Sequence, residues 1–202
     1  IRYMKVASFF CGAGGLDSGF HKSGFNIILS NDINKQACQT YSENYQSPIY
    51  CGNFKDIPYE DYNKADCIIG GPPCQGFSIN GKMDINDPRN RLIKDYFLLI
   101  KSVNPKIFIA ENVPALLELN KWKTIKQELL NMMDDDYWLF KKVLHCTDFG
   151  IYQTRKRTLI IGFKKSEYPE DIVSIFESIL DSFKTEKNLS LYDLLKDIGP
   201  IS

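Results

Sequence analysis

Four short stretches of this chain hold residues whose types and spacing could do chemistry. The first is Gly70-Gly71-Pro72-Pro73-Cys74-Gln75, which follows the apolar run Cys67-Ile68-Ile69. The prolines fix their own φ and push the preceding residue into an extended shape, so the loop leaves a strand along a stiff path and presents Cys74 at its end. A thiol held that way suits attack on an electrophile. The alternative is an ordinary buried cysteine, the usual fate of a free one. The second stretch is Glu111-Asn112-Val113-Pro114, where an acid at the carboxyl edge of a parallel strand would point into the crevice in which ligands bind. A helix cap or a solvated edge would look the same. The third is Gln153-Thr154-Arg155-Lys156-Arg157. In an extended stretch Arg155 and Arg157 share a face, and two guanidiniums there can bind phosphate, carboxylate or a base carbonyl. A solvated basic turn is the bland counterpart.

The fourth is the turn Gly12-Ala13-Gly14-Gly15 between a strand and a helix, with Asp32 at the end of the next strand. Glycines let a ligand approach the backbone, the helix start offers free N–H groups, and an acid placed like Asp32 can accept from both hydroxyls of a ribose. The turn is G-x-G-G, not the G-x-G-x-x-G of dinucleotide sites. A ligand with a ribose but no pyrophosphate fits better, and S-adenosylmethionine is one. An NAD-dependent oxidoreductase would leave Cys74 unexplained.

These residues need a scaffold. Apolar runs at 5–10, 25–30, 67–70, 106–111, 138–144 and 158–163 read as strands. Helical spacing marks 16–23, a segment capped by Asn34 and running to about 44, 89–103, and the set Trp122, Ile125, Leu129 and Met133. Strands alternating with helices, and strands with unbroken apolar runs, predict an α/β fold with a doubly wound, mostly parallel sheet covered on both faces. Residues 1–165 would form that domain, and 166–202 a polar, helix-leaning segment leading away from it. With 202 residues, 44% hydrophobic and 25% charged, the chain has the size and composition of one globular domain.

No apolar run reaches membrane-spanning length and no signal-peptide core is present, which predicts a cytoplasmic protein without a membrane partner. The six cysteines lack C-x-x-C spacing, so reduced thiols and no metal are expected. A net charge of zero argues against a general polyanion binder, while local basic clusters can still touch phosphates.

Together the stretches resemble a family. Phe9-Phe10-Cys11-Gly12-Ala13-Gly14-Gly15-Leu16, Gly71-Pro72-Pro73-Cys74-Gln75-Gly76-Phe77-Ser78, Glu111-Asn112-Val113 and Gln153-x-Arg155-x-Arg157 resemble, in order and spacing, the cytosine-5 DNA methyltransferases of bacterial restriction–modification systems. The resemblance covers residues 4–163. It implies a Rossmann-like, S-adenosylmethionine-dependent fold. Cys74 would add to C6 of a flipped-out cytosine, Glu111 would hold N3 and the exocyclic amine, Arg157 would sit on O2, and Arg155 would steady the cysteine loop. It also implies cofactor contacts at Phe10, Gly12, Gly14, Gly15, Asp32, Asn53, Gly71, Pro73 and Leu92. DNA contacts would fall at Gln75, Ser78, Arg89 and Arg91, with 78–91 closing over the DNA.

Two departures stand out. Asn53 occupies a place where the family usually has an aspartate, so an uncharged acceptor would meet the adenine amine. The family also continues past this length into a target-recognition part and a Gly-Asn-Ser segment. The expectation is therefore a truncated protein, a partial gene or half of a split enzyme, weak or inactive alone, with double-stranded DNA and a second chain as partners. A cognate restriction endonuclease would be a functional companion. A tRNA cytosine-5 methyltransferase and a non-catalytic cofactor-binding half are the alternatives.

Overall fold

The computed structural model describes residues 4–73 and 90–185. Seven strands form one sheet: β1 (Lys5–Phe9), β2 (Asn26–Asp32), β3 (Ile49–Cys51), β4 (Cys67–Gly70), β5 (Ile107–Asn112), β6 (Tyr137–His145) and β7 (Lys156–Lys164). Their order is β3-β2-β1-β4-β5-β7-β6. The first five run parallel, whereas β7 is antiparallel to both β5 and β6. β3 is a short edge strand of only three residues, Ile49-Tyr50-Cys51, too short for its pattern to mark a strand in the sequence.

Among the described residues six α-helices connect and cover the strands: α1 (Gly15–Lys22), α2 (Lys35–Asn44), α3 (Asn90–Val103), α4 (Ala115–Glu118), α5 (Lys123–Asn131) and α6 (Ile172–Ser182). Asn34 caps α2 by accepting the Ala37 N–H, which satisfies one orphan donor of the first turn. On one face Ala7, Phe9, Ile68, Phe108 and Ala110 meet Ile93, Tyr96, Phe97 and Ile100 of α3 and Leu129 of α5 in one continuous core. On the other face Val6, Ile27 and Ile69 lie under Leu16 and Phe20 of α1. Phe140, Ile161 and Phe163 lie under Ile172, Phe176 and Leu180 of α6. α6 falls within the tail expected at 166–202 and packs on the sheet. No helix among the described residues is long and apolar enough to cross a membrane.

Packing is close where β7 passes β5. A Cβ on Gly162 would overlap the Phe108 ring, so only glycine lets the hairpin lie this close to the core.

Candidate active site

The glycine turn is built from β1 outward. Phe10 leaves the strand with φ 55°, followed by Gly12 at φ 56° and Gly14 at φ 90°, backbone shapes that glycine adopts without strain. Gly14 lies against two tyrosines of and just after α2: a Cβ there would overlap the Tyr45 ring and stand 3.0 Å from Tyr41, while the Tyr45 hydroxyl donates to the Gly14 carbonyl at 3.2 Å. Gly15 has open space on its Cβ side.

Asp32 sits beside this turn. One carboxylate oxygen accepts the Gly12 N–H at 2.8 Å and the other accepts the Asn34 N–H at 2.8 Å. The acid thus ties the turn to the start of α2, and each oxygen keeps a lone pair for a ligand hydroxyl. Buried Asn31 donates to the Tyr50 and Gly52 carbonyls, which holds the segment leading to Asn53. The Asn53 side-chain oxygen accepts the Lys55 N–H at 3.1 Å, so part of its acceptor capacity serves the local 3₁₀ turn.

A carboxylate that sequence reasoning missed lies behind the turn. Asp17, in the first turn of α1, is fully buried and accepts from the hydroxyls of Ser8 (2.7 Å), Ser30 (3.0 Å) and Tyr41 (3.0 Å). β1, β2, α1 and α2 meet at this one group. It carries no recognisable motif, since its partners are scattered hydroxyls that only the fold brings together.

The other group of expected site residues gathers where β5 finishes and β7 begins. Arg157 Nε lies 2.8 Å from Glu111 Oε1. A Cβ on Gly71 would come within 3.1 Å of Glu111 Oε2, so that carboxylate lies against bare backbone. The Asn112 amide donates to the Pro72 carbonyl at 3.1 Å and moors the proline loop to the end of β5, two residues before Cys74. Cys74, Gln75, Ser78 and Arg89 lie outside the described residues.

A crevice of about 600 Å³ joins the two ends, within the usual range for small-molecule sites. Of the expected site residues it brings together Phe10, Gly15, Gly71, Glu111, Arg155 and Arg157. Gly12, Gly14 and Asp32 form the adjoining turn. Asn53, Pro73 and Leu92 do not line the crevice, and Leu92 packs against the large core. Exposed Arg91 lies 3.9 Å from Asp95 on its own helix and also lies off the crevice lining. Asp17, His145 and Cys146 line the crevice unannounced by any motif, and so does Cys11, which the glycine-turn motif contains without giving it a role. Burial, reinforced by the carboxylates of Asp17 and Asp32, pushes the Cys11 thiol far up, so Cys11 is no thiolate nucleophile despite its place in the wall.

The C-5 cytosine-specific DNA methylase family model matches residues 4–200. The chain is 39% identical over 163 residues to the type II methyltransferase M.FnuDI of Fusobacterium nucleatum, an alignment covering 80% of this chain and 47% of that protein. It is 40% identical over 166 residues to M.NgoPII of Neisseria gonorrhoeae, covering 80% and 48%. Among solved structures, a candidate DNA modification methyltransferase encoded within an E. coli prophage superposes with a TM-score of 0.76 at 29% identity, covering 95% of this chain and 54% of that one. The chain therefore spans about half the length of the curated relatives it matches. The family draws its methyl group from S-adenosylmethionine, and the glycine turn, Asp32 and the crevice beside them fit a ligand of that kind. With nearly its whole length matched, this chain belongs to the C-5 cytosine-specific DNA methylases.

Proposed function

We propose that this chain carries the cofactor-binding and catalytic part of a DNA cytosine-5 methyltransferase. The observation that carries the reading is the Glu111–Arg157 pair, set against Gly71 at the mouth of a crevice whose other end is the glycine turn.

Cytosine C5 is a weak nucleophile. The Cys74 thiolate would form a bond to C6 and drive electron density onto C5, at the far end of the ring's 5,6 double bond. Glu111 would hold the exocyclic amine and the proton at N3, and the Arg157 guanidinium would oppose negative charge developing at O2. Arg155, at the crevice rim, would support the loop that presents Cys74. S-adenosylmethionine, when bound, supplies an electrophilic methyl group. Loss of the C5 proton and departure of Cys74 then restore the aromatic ring. A stacked base is out of reach of these groups, so the target must be extruded at a cost of a few kcal/mol.

Gly12, Gly14, Gly15 and Asp32 would hold the ribose end of the cofactor, with Phe10 near its base and Asn53, Pro73 and Leu92 as outer contacts. Gln75, Ser78, Arg89 and Arg91 would meet DNA. Double-stranded DNA is the proposed substrate. Target recognition would come from polypeptide that this chain does not span, and the protein would work beside a restriction endonuclease.

The test is covalent trapping. The chain, completed with the part of M.FnuDI that it does not span, is incubated with S-adenosylmethionine and DNA containing 5-fluorocytosine. A gel-stable protein–DNA adduct is expected, absent in Cys74→Ser. An adduct that persists in Cys74→Ser, or label transferred to tRNA but not to DNA, overturns the reading.

A further inference from the structure

Two cysteines outside the catalytic crevice converge on Asp32. Cys51 ends β3 and stands opposite Asp32 in the parallel register, as Ile49 stands opposite Ser30. Ser30 hydrogen-bonds to the Tyr41 hydroxyl of α2, so Ser30, and with it Asp32 two residues on, faces that helix. Partners in a parallel register turn their side chains to the same face, which puts the Cys51 thiol on the α2 side of the sheet. Cys38, one turn into α2, comes down to meet it: its buried thiol donates to the Asp32 carbonyl at 3.4 Å. The same carbonyl accepts the Gly52 N–H at 2.9 Å.

The two thiols differ in access. Cys51 is exposed and Cys38 is buried. Burial, followed by hydrogen bonding to and charge from the Cys51 thiol beside it, pushes the Cys38 thiol up to about 12. Cys38 is therefore a poor match for reagents arriving from solution. Capping Cys51 removes the part of that shift that Cys51 imposes. More of Cys38 is then thiolate at the moment its neighbour becomes the electrophile.

We propose that Cys38 and Cys51 form a reversible disulfide site that reacts with a small disulfide of the glutathione class and weakens cofactor binding when bridged. The Cys51 thiolate attacks one sulfur of the small disulfide, whose S–S bond breaks and releases a thiolate. The Cys38 thiolate then attacks the Cys51 sulfur and expels the second small thiolate. The two cysteines are oxidised, the small disulfide is reduced, and the two protons lost by the cysteines end on the two released thiols. Closing an S–S bond of about 2 Å takes the Cys38 thiol off the Asp32 carbonyl and draws Cys51 toward α2. Cys51 leads directly into Gly52-Asn53, so Asp32 and Asn53, both proposed adenosine contacts, are disturbed together. That consequence rests on the cofactor reading of these two residues, whereas the bond itself does not.

The test incubates the full 202-residue chain with oxidised glutathione and digests it without reductant. A peptide linking Cys38 to Cys51 is expected, and dithiothreitol should abolish it. Calorimetric titration with S-adenosylmethionine should show affinity at least tenfold weaker after oxidation and restored by dithiothreitol. Cys51→Ser removes an exposed thiol and should hold one affinity with or without the oxidant, which separates this bond from oxidation of any other cysteine. A bridge from Cys51 to Cys11 or to another cysteine, a glutathione adduct that persists on Cys51, or unchanged affinity in the bridged chain would each overturn the proposal. So would an equal loss of affinity in oxidant-treated Cys51→Ser. A reduced chain that does not bind S-adenosylmethionine counts against the cofactor reading, and the linked peptide then still decides the site.

Discussion

Arg157 and Glu111 face each other across antiparallel strands, Nε to Oε1 at 2.8 Å. Glu111 lies near the carboxyl end of β5, opposite Leu159, and Arg157 near the amino end of β7. In a sheet running one way throughout, a residue at the start of a strand lies at the edge remote from the ligand crevice. The reversal of β7 is what delivers a guanidinium to an acid at the same edge.

Both side chains are about a quarter to a third exposed, so their mutual attraction is screened and contributes about 1 kcal/mol or less to folding. Arg157→Met is expected to shift urea stability by no more than that. Adduct formation on 5-fluorocytosine DNA should nonetheless slow about a hundredfold, as for loss of one group that stabilises a developing oxyanion. An equal loss of stability and trapping would show that the pair is merely structural.

Asp17→Ala should be far more damaging to the fold. It removes the shared acceptor of three hydroxyls in a site sealed from water, at a cost of about 3 kcal/mol. The same change loosens Tyr41, one wall against Gly14, so affinity for S-adenosylmethionine should fall too. Equilibrium urea unfolding and calorimetric titration measure the two effects. A neutral substitution would mean the hydroxyls find water or one another instead.

Gly14 and Gly15 should separate stability from binding. Gly14→Ala forces a side chain into φ 90° and into the Tyr45 ring, costing about 1–2 kcal/mol. Gly15→Ala meets open space and begins a helix, so stability should hold or rise by about 0.5 kcal/mol. If bare backbone at Gly15 is needed for close approach of the cofactor, titration will show weakened binding in a chain whose melting temperature is unchanged. Undiminished affinity would remove Gly15 from the cofactor site.

Burial, reinforced by the Asp66 carboxylate, pushes the Cys67 thiol up to about 12. At pH 8 only about one molecule in ten thousand carries the thiolate there. Iodoacetamide at pH 8 should therefore label exposed Cys51 readily and spare Cys67 until urea unfolds the chain. Mass spectrometry of peptides after timed labelling checks this, and early modification of Cys67 would reveal that β4 opens locally.

Much of this was legible in the sequence because local chemistry and global fold agree. The β5 run, the Asn34 cap and the helical spacing of Leu92, Tyr96, Leu99, Ile100 and Val103 each name their element through a single short-range signal. The glycine turn, the acid near the end of β5 and the paired arginines were visible as motifs, and their shared crevice follows from the topology. Three things were not visible. β3 is too short to show a period. The reversed direction of β7 depends on which neighbour it pairs with, and an apolar run says nothing about direction. Asp17 looks like any helix-start acid, and only the convergence of Ser8, Ser30 and Tyr41 makes it internal.

The hairpin of β6 and β7 has a kinetic consequence. Its pairing is between neighbours in the chain, from Leu144 with Arg157 down to Tyr137 with Lys164, and such hairpins zip in about 1–10 μs in isolation. The parallel strands need crossovers and must wait for loop closure over much longer spans. During refolding the cationic rim would exist before the acid that balances it is in place, and nascent chains would cling to any polyanion nearby. Stopped-flow refolding with added heparin should therefore slow at low salt and recover at high salt; indifference to heparin would show that both partners arrive together.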